Sequence, residues 1–410
     1  MLTPGRTSRA LWIIAGVGLC LRLAWMVYAH PDPVSDFEYY RRMAADLLDH
    51  HQLGYPKLSA SRVPGYPVLL AGAMLVSRSV SWLRLVNVLL SAALVPVAAR
   101  LARGLALPPA AVLTTAALVA VAPDFVLFAP VLASEHLFAL LLLLALVVAL
   151  GATHRGRVVC CGVLTGVTIL TRPDALFYLP VIAGVLAWRA PGRRIAAPAL
   201  CLVTAGLVVM PWYVRNRVEL GPGAGISTVG GMNFYFAHND VHYGWQATGD
   251  TPLAGMNEVA MQARGYALGL DYLEHAGWLR IVEDIAAGTG GLYSPQAYPF
   301  ASFWSTLAAG TTPDDSTPNA LARLWWVRQL GEAYRIVLYG AVLSVLVARR
   351  FPRGAAPVLY GLVAMSWLGY AVVFWADPRY RYVAEIAFCL LTALALTSRQ
   401  DARRGDDRSG

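Results

Sequence analysis

The residues best suited to chemistry lie in one polar interval, residues 30–67, which follows the first apolar segment of the chain. The interval reads HPDPVSDFEYYRRMAADLLDHHQLGYPKLSASRVPGYP. Four of its acidic residues, Asp32, Asp36, Glu38 and Asp46, lie close together in sequence, and its basic residues include Arg41, Arg42, Lys57 and Arg62. A carboxylate can take a proton from an attacking group, and a guanidinium can neutralise a phosphate through paired hydrogen bonds. We therefore expect acid–base or anion-binding chemistry here.

Asp36 is the first candidate for a chemical role, because it lies shortly after an apolar segment and hence near a membrane surface. The stretch DFEYYRRMAADLL predicts an amphipathic helix, with Phe37, Tyr40, Ala44 and Leu47 on one stripe. Asp36 would then stand at the start of this helix, where an aspartate often serves only as a cap. From these residues alone, capping and catalysis remain equal alternatives.

Arg62 is the second candidate, in the segment SRVPGYP. Two prolines and a glycine stiffen the backbone there and place Arg62 at the entry to an interfacial helix. A guanidinium at headgroup level suits a phosphate. The alternative is an ordinary contact with lipid headgroups.

Further ionisable residues occur at the ends of later apolar segments. Asp124 and Glu135 bracket one connector, and Glu135 opens a helix whose dipole favours a carboxylate. Arginines follow or precede aspartates in Arg172-Pro173-Asp174 and in DPRYRY, which contains Asp377, Arg379 and Arg381. Each arginine can pair with its own aspartate, but together with Arg62 they could also surround an anionic headgroup.

A second polar interval, residues 215–328, mixes glycine, asparagine and aromatic residues. PWYVRN precedes ISTVGGMNFYFAHND, which contains Asn233, and this composition suits a sugar as well as a plain glycine-rich turn. His238 and His242 have the HxxxH spacing that binds metal on a helix, but the surrounding Asn, Asp and Gly favour a loop. We expect no metal site here.

The composition of the whole chain is that of a membrane protein. Of its 410 residues, 57% are hydrophobic and only 14% are charged. The net charge of +9 arises mainly from arginines in short connectors between apolar segments, which indicates membrane topology rather than nucleic-acid binding. The cysteines form no CxxC pair and lie in or beside apolar segments, so no disulfide framework or thiolate metal site is expected.

Hydropathy predicts an all-α polytopic membrane protein with about ten transmembrane helices. The arginine-rich connectors place both termini in the cytoplasm and both polar intervals outside. We expect an amino-terminal membrane module (1–214) whose outer loop (30–67) carries interfacial helices. A small extracytoplasmic subdomain (215–332), carboxy-terminal membrane helices (333–398) and a disordered cytoplasmic tail (399–410) would follow. Arg22 is the one charge expected deep inside a span.

These features resemble the GT-C superfamily of polyprenyl-phosphate-sugar glycosyltransferases, and in particular its protein O-mannosyltransferase and lipid A aminoarabinose transferase group. The resemblance extends from Leu21 to about Leu396. It rests on LRLAW, SDFEYY, RVPGYP, ASEHLF, LTRPDALFYLP, PWYVRN with STVGGMN, and PRYRY, in this order. From the sequence we expect no large carboxy-terminal soluble domain like that of the bigger relatives, which leaves the acceptor open.

The resemblance implies roles for several residues. Asp36 matches the family's essential aspartate and would be the general base, and Arg62 matches the basic residue near the lipid phosphate. Arg172, Arg379 and Arg381 would also contact the donor phosphate. The residues expected to contact sugar or acceptor are Glu38, Tyr40, Tyr66, Glu135 and Asn233.

The implied reaction is direct displacement with inversion, from a polyprenyl-phosphate sugar to a glycan, lipid or protein acceptor outside the cytoplasm. It requires no cofactor, and a divalent metal is not needed in principle. Membrane lipids are expected partners and nucleic acid is not. The expected location is a bacterial inner membrane. The competing hypotheses are a transporter or flippase for a glycolipid or other anionic substrate, and a scaffold that binds glycolipids without catalysis.

Overall fold

The computed structural model describes residues 4–29, 31–33, 35–240, 252–293, 325–348, 352 and 354–406. Every regular element in these ranges is a helix. The amino-terminal helices are α1 (Pro4–Ala29), α2 (Ser35–His50), α3 (Gly65–Met74), α4 (Val80–Gly104), α5 (Pro109–Val121), α6 (Pro123–Leu127), α7 (Glu135–Leu150), α8 (Arg155–Thr171), α9 (Leu179–Arg189) and α10 (Ala196–Glu219). The later helices are α11 (Gly230–Ala237), α12 (Glu258–His275), α13 (Trp278–Tyr293), α14 (Trp325–Ala348), α15 (Ala355–Trp367) and α16 (Tyr382–Asp406).

The helices confirm a polytopic membrane protein. Within the described ranges, five helical segments are long and apolar enough to cross a bilayer. They are Thr7–Ala29, Val80–Gly104, Ala196–Glu219, Ala355–Val373 and Pro378–Thr397. Other predicted crossings correspond to shorter apolar helices, among them Pro109–Val121 and Glu135–Leu150. The count of ten spans therefore stays a prediction.

Helix α2 confirms the amphipathic helix predicted after the first span. Phe37, Tyr40 and Ala44 are buried along one stripe, and Leu47 packs against the same core. Met43 adds to the buried face. This packing fixes the rotation of α2 and so fixes the direction in which Asp36 points.

Arg22 is buried inside the bundle, as expected. Its guanidinium donates to the Ser91 hydroxyl over 2.9 Å and to the carbonyl oxygens of Gly18, Val119 and Ala120 over 2.8 to 3.0 Å. Val119 and Ala120 lie in the last turn of α5, whose carbonyls have no helical partner. Arg22 therefore caps α5 from within the membrane.

The prediction that Arg22 is the one charge deep inside a span was wrong. Arg335, Arg381 and Glu385 are also buried, and both arginines contact Asp124. Arg381 and Glu385 stand one helical turn apart, with 3.9 Å between Nε and Oε2. Because α14 packs along α16, charges that look peripheral in the sequence come together in the interior.

The second polar interval contains short helices, as predicted, although residues 241–251 and 294–324 lie outside the described ranges. Glycines allow α11 and α12 to pack closely: a Cβ on Gly231 would stand 1.9 Å from the Gln262 carbonyl oxygen. Glu258 connects this interval to the first polar interval, residues 30–67. Its carboxylate accepts from the Ala60 N–H over 2.8 Å and from the Ser59 hydroxyl over 2.7 Å.

The carboxy-terminal part changes helix type before its last span. Helix α15 continues into a π-helical turn, Leu368–Val373, and a 3₁₀ turn, Pro378–Arg381, leads into α16. Helix α16 extends to Asp406, so it ends within the segment 399–410 that was predicted to be disordered. The extension SRQDARR consists largely of residues with good helix propensity.

Candidate functional site

Asp36 and Arg62 are brought together by α2 and the segment before α3. Asp36 lies in the first turn of α2, and Arg62 Nη2 donates to its Oδ1 over 2.5 Å. Arg62 also donates to the Ser61 carbonyl oxygen over 2.9 Å, which directs the guanidinium back toward α2. The two side chains keep partial exposure, 30% for Asp36 and 22% for Arg62, so the pair lies at the edge of the bundle rather than inside it.

Arg379 approaches Asp36 from the opposite end of the chain. Its Nη2 lies 3.4 Å from Asp36 Oδ2. The 3₁₀ turn that carries Arg379 is capped by Asp377, whose carboxylate accepts from the Arg379 N–H over 2.9 Å. Asp36 therefore uses both carboxylate oxygens on arginines, which exceeds what a helix cap requires.

These two guanidinium groups determine the charge of Asp36. Burial alone would raise the pKa of its carboxyl, but Arg62 and Arg379 outweigh burial and lower that pKa from 3.8 to about 2. Asp36 is therefore ionised throughout the physiological pH range. A carboxylate held in this way is a weak base until one of its arginines is drawn to another anion.

Arg172 forms a second charged group beside the first. It contacts Glu135 Oε1 at 2.8 Å and Asp174 Oδ2 at 2.7 Å. The Tyr370 hydroxyl donates to the same Asp174 oxygen over 2.6 Å. Arg172 is thus fixed from two sides, by the start of α7 and by the 3₁₀ turn that follows α8.

Tyr380 links the two charged groups. Its ring lies under the guanidinium carbons of both Arg172, at 5.2 Å, and Arg379, at 5.0 Å. The ring stacks on Tyr370 with 4.7 Å between centroids. Such cation–π contacts hold positive charges near one another at low cost. We refer to Arg62, Arg172 and Arg379 as the arginine group.

Two buried polar atoms of this region have no hydrogen-bond partner among the described residues. They are Arg379 Nε, a donor, and Glu135 Oε2, an acceptor. Buried polar groups are normally satisfied, so an unmatched donor and an unmatched acceptor beside three guanidinium groups fit a ligand that carries both an anion and hydroxyl groups.

Tyr40 and Tyr66 form the base of this region. Tyr40 approaches the Ser134 hydroxyl at 3.3 Å, and its ring packs edge-on against Tyr66 at 5.1 Å. Tyr66 is fully buried and its hydroxyl donates to Asn87 over 2.9 Å. Tyr66 therefore supports Tyr40 from below, which makes it a poor candidate for direct sugar contact.

Arg381 and Glu38 form their ion pairs away from the arginine group, and within the described ranges Asn233 forms no hydrogen bond with it, although the sequence placed all three in the site. Arg381 faces Asp124 and the Leu292 carbonyl oxygen, because residues two apart in a 3₁₀ turn point about 120° apart. Glu38 pairs with Arg41 and Arg42 on another side of α2, and Arg41 lowers the pKa of its carboxyl. Asn233 is on α11, with no side-chain hydrogen bond to the described part of the site.

The HxxxH pair gives no metal site within the described residues. His238 ends α11 and its Nε2 lies 3.2 Å from the Val373 carbonyl oxygen, whereas His242 is outside the described ranges. No cluster of three or more His, Cys, Asp or Glu side chains with metal-binding geometry occurs in the part that is described.

Sequence reasoning missed Tyr370 and the linking role of Tyr380. Tyr370 lies in the π-helical turn, and π turns often occur at functional sites. No hydrophobic period marks such a turn in the sequence. Tyr380 stood inside the PRYRY motif, and its position between arginines was the available signal.

Comparison with known proteins identifies the fold. No protein-family model matches the chain, and no curated protein sequence matches it. Among solved structures, the Archaeoglobus fulgidus oligosaccharyltransferase is similar in its apo form and in its complex with zinc and sulfate. The TM-scores are 0.54 and 0.53 and the sequence identities 15% and 14%. These matches cover 98% and 96% of this chain but only 52% and 49% of the archaeal enzyme, so the chain spans about half its length.

ArnT from Cupriavidus metallidurans, solved bound to undecaprenyl phosphate, matches 94% of this chain and 77% of its own length, with a TM-score of 0.44 and 15% identity. At these sequence identities a structural similarity concerns the fold alone. The fold assignment rests on the archaeal enzyme, whose TM-scores exceed 0.5. The chain therefore shares the fold of about half of the archaeal enzyme.

Proposed function

We propose that this chain is an integral-membrane inverting glycosyltransferase. It moves a monosaccharide from a polyprenyl-phosphate donor to a glycan, lipid or protein acceptor on the extracytoplasmic side. The observation that carries the proposal is the convergence of Arg62 and Arg379 on Asp36, with Arg172 beside Arg379 on the Tyr380 ring. The GT-C-like fold supports glycosyl transfer as the reaction class.

The arginine group would bind the donor phosphate. Arg62 and Arg379 already share one anion, the Asp36 carboxylate, and Arg379 Nε has no hydrogen-bond partner in the described structure. The donor phosphate carries a negative charge on two non-bridging oxygens, so it can accept charge-assisted hydrogen bonds from both guanidinium groups. A long isoprenoid tail would lie between the apolar helices next to this site.

Asp36 would act as the general base. It takes a proton from the acceptor hydroxyl or amine while that oxygen or nitrogen bonds to the anomeric carbon from the side opposite the phosphate. The bond between the anomeric carbon and the phosphate oxygen breaks, and its electron pair leaves with the lipid phosphate. Attack from the opposite side inverts the configuration.

Donor binding would also prepare Asp36 for this step. The lowered pKa of Asp36, about 2, reflects its contacts with Arg62 and Arg379. When these arginines turn to the phosphate, Asp36 loses part of their stabilisation and becomes more basic. The same charges then neutralise the leaving phosphate, where electrostatic stabilisation contributes most to rate.

Glu135 would position the sugar or the acceptor. Its Oε1 holds Arg172, while Oε2 is buried without a hydrogen-bond partner among the described residues. A sugar hydroxyl is a suitable donor to that oxygen, because burying an unmatched carboxylate oxygen is costly.

Release of lipid phosphate tests this proposal. Purified protein in nanodiscs is incubated with undecaprenyl- and decaprenyl-phosphate sugars and candidate acceptors. Catalytic release for one sugar, with the anomeric configuration inverted in the product, is the expected result. If none of the donors binds and none is consumed, the proposal fails.

One observation favours the second candidate function, a transporter or flippase. The buried group of Asp124, Arg335, Arg381 and Glu385 places charges inside the helix bundle, as substrate or proton paths do. An assay in reconstituted vesicles, with a fluorescent glycolipid on one leaflet, distinguishes the glycosyltransferase from the transporter or flippase. Glycolipid movement across the bilayer without sugar transfer would replace the first proposal with this one.

A further inference from the structure

A second basic region lies at the face of the bundle opposite Asp36. Helix α7 begins at Glu135, beside Arg172, and ends at Leu150; α8 runs back from Arg155 to Thr171. At 1.5 Å per residue, α7 alone separates the two faces by about 24 Å. The start of α1 and the end of α4 lie at the same far face.

These helix ends enclose an open cleft of about 820 Å³. Its walls are mainly apolar and include Leu11, Val97, Leu144 and Val148. Trp12 stands at the side of the cleft with 65% of its surface exposed. A cleft of this volume is within the range of small-ligand sites, and its walls suit a hydrocarbon chain.

Basic side chains contribute to the lining of the cleft. Arg100 and Arg103 come from the last turns of α4, and Arg157 and His154 come from the start of α8. All four are exposed. In the described part of the chain, none of the three arginines forms an ion pair with a carboxylate, although Arg157 donates to the Gly151 carbonyl oxygen over 2.7 Å.

The sequence around the cleft contains no counter-charge. Residues 1–31, 85–123 and 136–173, which include all the residues that line it, contain neither Asp nor Glu. By contrast, Arg62 and Arg172 on the other face lie opposite acids. The cleft therefore has a positive potential that its own residues leave unneutralised.

We propose that this cleft is a binding site for an anionic phospholipid of the adjacent membrane leaflet. The lipid phosphate would lie among Arg100, Arg103 and Arg157, and one acyl chain would follow the apolar wall past Trp12. A soluble phosphate would leave that wall exposed to water, whereas a phospholipid uses both halves of the site. Basic pockets between membrane helices bind anionic headgroups in this way. The site is independent of the proposed transfer reaction.

Native mass spectrometry of the full chain tests the site with dioleoyl phosphatidylglycerol as the probe and dioleoyl phosphatidylcholine as the neutral comparison. The variant R100Q/R103Q/R157Q removes the basic cluster. The matched control R155Q/R193Q/R194Q removes the same number of exposed arginines from the same face outside the cleft. We expect one retained phosphatidylglycerol, with its Kd raised about 10-fold or more in the cleft variant and less than about 2-fold in the control.

A second measurement keeps all the arginines of the cleft, so it does not depend on the folding of the triple variant. Phosphatidylglycerol with brominated acyl chains should quench the fluorescence of Trp12, measured as the difference between wild type and Trp12→Phe. Brominated phosphatidylcholine at the same mole fraction should quench it less.

Three results would overturn the proposal. Equal loss of phosphatidylglycerol in the cleft variant and the control would reduce the effect to general surface charge. Equal binding of the neutral lipid would remove the role of the arginines. Displacement of phosphatidylglycerol by undecaprenyl phosphate at much lower concentration would assign the cleft to the isoprenoid lipid instead.

Discussion

Arg62 Nη2 lies 2.5 Å from Asp36 Oδ1, and this contact joins residues that are 26 positions apart in the chain. Arg379 reaches the other oxygen of the same carboxylate at 3.4 Å. The proposed base therefore pairs directly with two of the arginines proposed to bind phosphate. Any anion that enters must separate these groups, and the following predictions depend on that competition.

Replacing Arg62 should weaken phosphate binding. Arg62→Gln removes a charge-assisted hydrogen bond, so the Kd for undecaprenyl phosphate should rise about 10-fold or more. Arg62→Lys keeps the charge but loses the paired hydrogen bonds of the guanidinium, so its Kd should lie between those of wild type and Arg62→Gln. Arg42→Gln is the control, because Arg42 is 70% exposed and pairs with Glu38. Unchanged binding in Arg62→Gln, measured by thermophoresis in detergent, would remove Arg62 from the phosphate site.

The pH dependence of transfer should differ between kcat/KM and kcat. Asp36 must be ionised to accept a proton, so the rate falls only as the pH drops through its pKa. In the free enzyme that pKa is about 2, below the ordinary 3.8, so kcat/KM should show no acid limb from Asp36 above about pH 4. Once phosphate occupies the arginines, the pKa rises, and the acid limb of kcat should lie at higher pH. An acid limb of kcat/KM at or above that of kcat would refute this competition.

Tyr370 should matter for positioning more than for folding. Tyr370→Phe removes the hydroxyl that donates to Asp174 over 2.6 Å, which leaves Arg172 held less firmly. We expect the free energy of unfolding to fall by about 1 kcal/mol, and kcat/KM to fall about 10-fold with most of the loss in kcat. Tyr28→Phe, at an exposed position on α1, is the control. A full-rate Tyr370→Phe enzyme would show that the π-helical turn has no role in the reaction.

Arg22 should be structural. Arg22→Leu removes four hydrogen bonds and leaves two carbonyls of the last turn of α5 unmatched. The free energy of unfolding, followed by chemical denaturation in mixed micelles, should fall by about 3 kcal/mol. Arg9→Gln, near the exposed start of α1, should change it by less than about 0.5 kcal/mol. Equal stability of Arg22→Leu and wild type would mean that α5 needs no cap.

The sequence predicted those parts of the fold that depend on local pattern. Apolar length identified the five long helices, and the stripe of Phe37, Tyr40 and Ala44 identified α2 and with it the place of Asp36. The sequence also identified Arg62, Arg172 and Arg379 as arginines at helix ends. These predictions succeeded because burial and helix geometry act over a few residues.

Local sequence patterns could not predict the contacts between distant segments. Arg379 and Arg381 look equivalent in PRYRY, yet the 3₁₀ turn directs one to Asp36 and the other to Asp124. The position of Tyr66 within RVPGYP suggested an accessible side chain. In the structure Tyr66 is buried against α4, where its hydroxyl donates to Asn87. Tertiary packing decides which helix covers a given residue, and a single sequence does not specify that packing directly.

The most direct test of the central claim measures transfer and lipid-phosphate binding together in Asp36→Asn. The account predicts that transfer falls by about 100-fold or more, as expected for loss of a general base. It also predicts that undecaprenyl phosphate binds at least as tightly as to wild type, because Arg62 and Arg379 no longer pair with a carboxylate. Glu38→Gln, two residues along the same helix and paired with Arg41, should keep both properties. Transfer at the wild-type rate by Asp36→Asn, or weaker lipid-phosphate binding in a folded Asp36→Asn protein, would contradict the account.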